Sequence, residues 1–238
     1  MIDDQALDHM RRPTVTRPLL GLTILAVEDS LYACDALRLL CLHSGARLRR
    51  ADCLKSARRH LQVYRPSVVI VDMGLPDGSG ADLIAEVSDT LPRVSVILGT
   101  SGDSFAEDVA YAAGADGFLA KPIANLGVFQ NAILQHLPKD QQPCGLRPVR
   151  SDPIHPDPVA FREDMAHIAE ILSGPVDSNT IDYVTLFLRG VVRTAEDDKL
   201  EDAASDLALA LSNGSVLSGQ IARVSGLVQA RLEDAVAM

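Results

Sequence analysis

Residues 67–80, Ser67-Val68-Val69-Ile70-Val71-Asp72-Met73-Gly74-Leu75-Pro76-Asp77-Gly78-Ser79-Gly80, read as a buried strand that ends on a carboxylate and turns at once into a glycine-rich loop. An unbroken run of β-branched side chains suits a strand covered on both faces, the central position of a parallel sheet. The runs on either side behave alike. Ile24-Leu25-Ala26-Val27 leads into Glu28-Asp29-Ser30, Val94-Ser95-Val96-Ile97-Leu98 into Thr100-Ser101, and Phe118-Leu119-Ala120 into Lys121-Pro122. In an open parallel sheet, ligands bind at the carboxyl ends of the strands. Three carboxylates, a hydroxyl and an ammonium are therefore expected to converge there, a set that suits a phosphorylatable aspartate beside a divalent metal.

The spacing between these runs predicts five β-α units. Strands are expected at Leu22–Val27, Arg47–Ala51, up to Asp72, up to Thr100, and at Gly117–Ala120. Helices are expected over Leu31–Leu42 with Ser30 as cap, Ser56–Tyr64, about Ala81–Ser88, Phe105–Ala113 and Asn125–Leu137. Alternation of this kind gives an α/β fold, a doubly wound five-stranded parallel sheet with helices on both faces. The domain runs over 21–138, behind a loose polar leader at 1–20 that carries Arg11, Arg12 and Arg17. A linker at 139–156 is stiffened by Pro143, Pro148, Pro153 and Pro156. No strand pattern returns after it. Apolar periodicity predicts helices over Val159–Leu172, about Ser178–Arg193, from near Ala195 to the stop at Asn213-Gly214, and through Val216–Leu232. Residues 157–238 should form a second, all-α bundle domain.

Glu28-Asp29-Ser30, Asp72 with Leu75-Pro76-Asp77-Gly78, Thr100, and Gly114-Ala115-Asp116-Gly117-Phe118 running into Lys121-Pro122 stand in one order and at one spacing. In these pieces the stretch resembles a response-regulator receiver domain of two-component signalling, with a flavodoxin-like fold. The resemblance implies Asp72 as phosphoacceptor, with Thr100 and Lys121 bonding phosphoryl oxygens and Lys121 aimed by a cis peptide to Pro122. It implies Mg²⁺ held by Glu28, Asp29, Asp72 and the Met73 backbone carbonyl. It puts Phe118 at the aromatic switch position and names a sensor histidine kinase or histidine phosphotransfer protein as phosphodonor. Read as residues alone, Glu28 and Asp29 also fit a solvated acidic pair, Thr100 a hydroxyl bonded to nearby backbone with Ser101 as rival, and Phe118 plain core. Gly74 and Gly102 stand where receivers often carry larger side chains, which would leave a phosphoryl group open to water.

The chain has 238 residues, a formal net charge of −10, no Trp, and 47% hydrophobic residues. A general nucleic-acid binder needs a basic face. Residues 157–238 carry fourteen acidic and six basic side chains, a net of −8, and hold no basic recognition helix, cyclase motif or glycine-rich phosphate loop. The expectation is a protein-binding or dimerising output with no outside substrate to turn over. A cryptic DNA-binding output is the alternative. A phosphorelay intermediate using His167 is another, although Ile168-Ala169-Glu170 lack the Lys-Gly usual after such a histidine. Cys34, Cys41, Cys53 and Cys144 have no metal spacing and are expected as buried reduced thiols. No apolar run reaches membrane-spanning length and no signal-peptide core is present, so the location is expected to be cytoplasmic.

Overall fold

The computed structural model describes residues 12–103, 105–123, 125–145, 153–214 and 217–234. The expectations for most of the leader, Pro148 in the linker, and Val216 lie outside the described residues. Five strands form one parallel sheet: β1 (Thr23–Val27), β2 (Arg47–Ala51), β3 (Val68–Asp72), β4 (Val96–Ser101) and β5 (Gly117–Ala120). Their spatial order is β2-β1-β3-β4-β5, the flavodoxin-like doubly wound arrangement. Strand pairing sets Val27 beside Val71, Asp72 beside Thr100, and Thr100 beside Leu119, so the three polar strand ends lie abreast.

The period-2 alternation of each strand divides two cores between the faces of the sheet. On one face Ile24, Ala26, Val68, Ile70, Val96 and Leu98 pack under α1 (Leu31–Ser44) and α5 (Leu126–Leu134). On the other Leu25, Val27, Val69, Val71 and Ile97 pack under α2 (Leu54–Val63), α3 (Gly80–Asp89) and α4 (Ala106–Ala112). Two motif residues are structural. The Asp77 carboxylate accepts from the amides of Leu54 and Lys55 at 2.8 and 3.0 Å, capping α2 from across the loop. Asp116 accepts from the Ile97 amide at 2.7 Å and pairs with Arg93.

Two expectations need correction. The leader is not loose up to residue 20: Leu19 is fully buried in the first core and its amide donates to the Ser44 carbonyl. An apolar side chain beside an open core edge gains by packing there. The cysteines are all free thiols, but only Cys34 and Cys41 are buried; Cys53 is half-buried and Cys144 exposed.

Four helices follow: α6 (Pro158–Ser173), α7 (Ser178–Thr194), α8 (Asp198–Ser212) and α9 (Ser218–Asp234). Asp157, Asp177 and Asp197 each cap the next helix by accepting an amide hydrogen bond. The Asp197 cap starts α8 at Asp198, three residues after the expected start. The helices share one core built from Met165, Ile168, Val184, Leu188, Leu200, Leu207, Val224 and Val228. The apolar stripes of these helices are thus largely buried within the chain. No described helix is long and apolar enough to cross a membrane.

This bundle rests on the sheet domain. Tyr32 of α1 meets Phe161 of α6 edge-to-face, ring centroids 5.5 Å apart. The buried Asp164 of α6 accepts from Ser30 Oγ at 2.7 Å and from the amides of Leu31 and Tyr32 at 2.8 and 3.0 Å. One carboxylate satisfies three donors at the N-terminus of another domain's helix, where negative charge also suits the helix dipole. Asp164→Ala should strip partners from these groups and cost about 1–3 kcal/mol of stability. Urea unfolding measures it; a loss below about 0.5 kcal/mol, ordinary surface scatter, would show that the cap holds nothing.

Candidate functional site

At the carboxyl edge of the sheet, β1 delivers Glu28 and Asp29, β3 delivers Asp72, and β5 delivers Lys121. Lys121 Nζ lies 2.7 Å from Asp72 Oδ2 and 2.8 Å from Glu28 Oε2. One carboxylate oxygen each from Glu28, Asp29 and Asp72 falls within 4.8 Å of the others. Arg50 of β2 braces the acidic loop from beneath, donating to the Asp29 and Glu28 carbonyls at 2.7 and 3.3 Å. The Lys121–Pro122 peptide is cis.

Glu28, Asp72 and Lys121 are 1, 7 and 6% exposed, so their charges act in a poorly screened setting. Burial pushes the Glu28 carboxyl well up, with Lys121 pulling back. Burial, reinforced by Asp72, raises Asp29 to about 6. Burial alone would lower Lys121; its pairing with Asp72 and Glu28 prevails and raises it. Three carboxylates against one ammonium leave the cluster short of positive charge. Glu28 Oε2 also makes no well-directed hydrogen bond, although it is buried against Lys121. Hard oxygen donors so disposed fit a small divalent cation that keeps several waters.

Residues 24–133 match the family model of the response regulator receiver domain. This part of the chain is a receiver domain. A transcriptional regulatory protein KdpE of Mycobacterium tuberculosis is 32% identical over 99 residues, 42% of this chain and 44% of the relative. A transcriptional regulatory protein PhoP of Escherichia coli O157:H7 is 30% identical over 100 residues, 42% of this chain and 45% of the relative. The chain spans under half the length of these curated relatives. Among solved structures, the chemotaxis response regulator CheY4 of Vibrio cholerae is 22% identical, covering 49% of this chain and 98% of that one at a TM-score of 0.45.

The other residues singled out in the sequence stand differently around the receiver site. Thr100 Oγ1 donates to the Leu119 carbonyl at 2.7 Å. Ser101 Oγ accepts from the Asp103 amide. The Met73 carbonyl accepts from Gly80 at 3.2 Å. Phe118 is half-buried against the second core, beside Gly99. His167 is exposed on α6, its Nε2 3.2 Å from Tyr183 Oη.

Gly74 and Gly102 do not open the site to water. A Cβ on Gly74 would lie 3.1 Å from Leu186 Cβ, and one on Gly102 only 2.7 Å from the Arg189 carbonyl oxygen. Both contacts belong to α7, which crosses the carboxyl edge of the sheet. Tyr183 of α7 donates to Asp29 Oδ2 at 2.7 Å, and Arg193 donates to the Gly102 carbonyl at 2.9 Å. Burial and the Asp29 charge raise the Tyr183 hydroxyl, so it stays a donor. Sequence reasoning passed over Tyr183, Asp164, Leu186, Gly190 and Arg193. The one legible signal was Gly190, a glycine inside a predicted helix, where glycine is disfavoured.

Lys121→Met should leave three carboxylates without their buried cation and cost about 3–5 kcal/mol at neutral pH. Millimolar Mg²⁺ should restore part of that loss and raise the variant's melting temperature more than the wild type's. Thermal unfolding with and without the ion measures both; an unchanged wild-type midpoint in the variant would show that Lys121 is not the cluster's counter-ion.

Proposed function

We propose that this chain is a cytoplasmic two-component response regulator whose phosphoacceptor is Asp72. The supporting observation is Lys121 Nζ bridging Asp72 Oδ2 and Glu28 Oε2 at the strand ends. The donor is a phosphohistidine on a sensor histidine kinase or a histidine phosphotransfer protein. An Asp72 carboxylate oxygen forms the new P–O bond as the P–N bond of the donor breaks, and the imidazole leaves. Mg²⁺, held by Glu28, Asp29, Asp72 and the Met73 carbonyl, would neutralise charge between carboxylate and phosphoryl oxygens. Lys121 exchanges Asp72 Oδ2 for a phosphoryl oxygen. Thr100 turns its hydroxyl from the Leu119 carbonyl to another, and Phe118 follows. The protein promotes only its own phosphorylation and dephosphorylation and has no outside substrate.

The output is a change in how residues 157–238 meet a protein partner or a second copy of the chain. Their net charge of −8 repels phosphates instead of releasing counter-ions. The relatives' names favour a DNA-binding output, but the matched stretch is less than half of each relative and carries no information on these helices. A phosphorelay reading gains from His167, whose ring contacts Tyr183 beside the acidic cluster.

A small phosphodonor with Mg²⁺ should label the wild type through a base-labile acyl phosphate and leave Asp72→Asn unlabelled; equal labelling would refute the assignment. Acid-labile, base-stable label mapped to His167 would instead favour the relay. Asp29→Ala should weaken Mg²⁺ binding about tenfold or more, read by titration, since a hard cation loses one of few charged ligands. No promoter fragment should be retained at physiological salt, and a competitor-resistant shift would promote the DNA-binding reading.

A further inference from the structure

We propose that α7 is a built-in plug over the phosphorylation site, latched by the Tyr183–Asp29 hydrogen bond, so that phosphoryl transfer to Asp72 requires the helical domain to swing off the receiver. The proposal rests on the reading of Asp72 as phosphoacceptor.

Four observations converge on α7. Its Tyr183 hydroxyl takes an oxygen of Asp29, one of the three carboxylates that could hold a cation. Its backbone runs so close to the cluster that a Cβ on Gly190 would lie 3.2 Å from Lys121 Nζ. Its Arg189 carbonyl occupies the space where any side chain at Gly102 would stand, and Leu186 fills the space beside Gly74. Its Arg193 ties the Gly102 carbonyl. Helix interiors disfavour glycine by about 1 kcal/mol relative to Ala, and at Gly190 the missing Cβ admits the helix to the receiver face. With Asp72 only 7% exposed, a histidine ring cannot place its phosphorus within the roughly 3–3.5 Å that in-line attack needs.

The contacts between the two parts are of a kind that opens. They include the carboxylate cap from Asp164, the Tyr32–Phe161 ring pair, the Arg189–Asp103 ion pair at 3.7 Å, the Asp157 amide on Asp35, and the polar bonds of Tyr183 and Arg193. The bundle keeps its own core when it leaves, because the buried residues of that core all come from the four helices and the receiver adds Tyr32 at its edge. Apparent reactivity then scales with the undocked fraction. A cation that takes Asp29 competes with Tyr183, and a phosphoryl group on Asp72 competes with α7, so both ligands favour the open form. Opening also uncovers the α7 face bearing Tyr183 and Arg189, beside the already exposed Leu186, as the surface offered to a partner.

The test compares the full-length wild type with the double variant Leu186→Asp, Asp164→Lys, by small-angle scattering and by the rate of Asp72 labelling from phosphoramidate with Mg²⁺. An expanded double variant labelled about tenfold faster or more is the expected result, corresponding to a tenfold larger open fraction. Tyr183→Phe keeps the ring and should bind Mg²⁺ more tightly than wild type; a hydroxyl with a merely structural role would leave the affinity unchanged or lower it. A double variant labelled at the wild-type rate, whether expanded or compact, would overturn the plug while leaving Asp72 as acceptor. Absence of label from both proteins despite expansion would remove the phosphoacceptor reading and the proposal with it.

Discussion

A single buried ammonium holds the carboxyl edge of this sheet together. Lys121 reaches from the end of β5 to Asp72 on β3 and Glu28 on β1. Without it, three carboxylates drawn into one poorly solvated corner would repel one another across a few ångströms. The sheet order makes the arrangement possible, because β1, β3, β4 and β5 are neighbours whose ends line up. The pairing is also unfinished chemistry. One positive charge against three negative ones leaves a site ready for a second cation, and an ammonium bonded to Asp72 is placed to follow new charge that appears on it.

The same deficit gives the helical domain something to hold. Tyr183 brings a hydroxyl donor to Asp29, and Asp164 brings a carboxylate to the exposed amides at the start of α1. Donor meets acceptor in both cases, so docking leaves few unpaired polar groups behind. Among the described side chains, only Glu28, Thr185 and Arg189 have a buried polar atom without a hydrogen bond. Arg189 and Glu28 belong to the α7 interface and the cluster beneath it. Polar bonds such as these, between parts with separate cores, suit domains that separate.

The receiver half was readable because its signals are local. Buried strands announce themselves as β-branched runs, and each run names the polar residue at its own end. The β2 and β5 strands fall on the expected residues, and most other elements agree within two. Legibility stopped where a side chain's partner comes from far along the chain. Thr100 turns to the Leu119 carbonyl because strand pairing puts that oxygen beside it. Leu19 joins the core because α1 ends next to it. Gly74 and Gly102 suggested open space when only their neighbours in sequence were considered; the space belongs to a helix more than eighty residues away.

Apolar periodicity, strand-end chemistry and charge were enough to determine the doubly wound sheet, the all-α second part, the convergence of Glu28, Asp29, Asp72 and Lys121, and the net charge of −8 on residues 157–238. These properties depend on residue type and short spacing alone. The tertiary structure decided that the two parts meet across the acidic cluster of Glu28, Asp29 and Asp72, that Tyr183 and Asp164 hold them there, and that α7 packs against the glycine positions. Docking between separate apolar cores leaves no periodic trace in the chain. It depends on where two surfaces of matching shape and polarity come to lie once each part has folded.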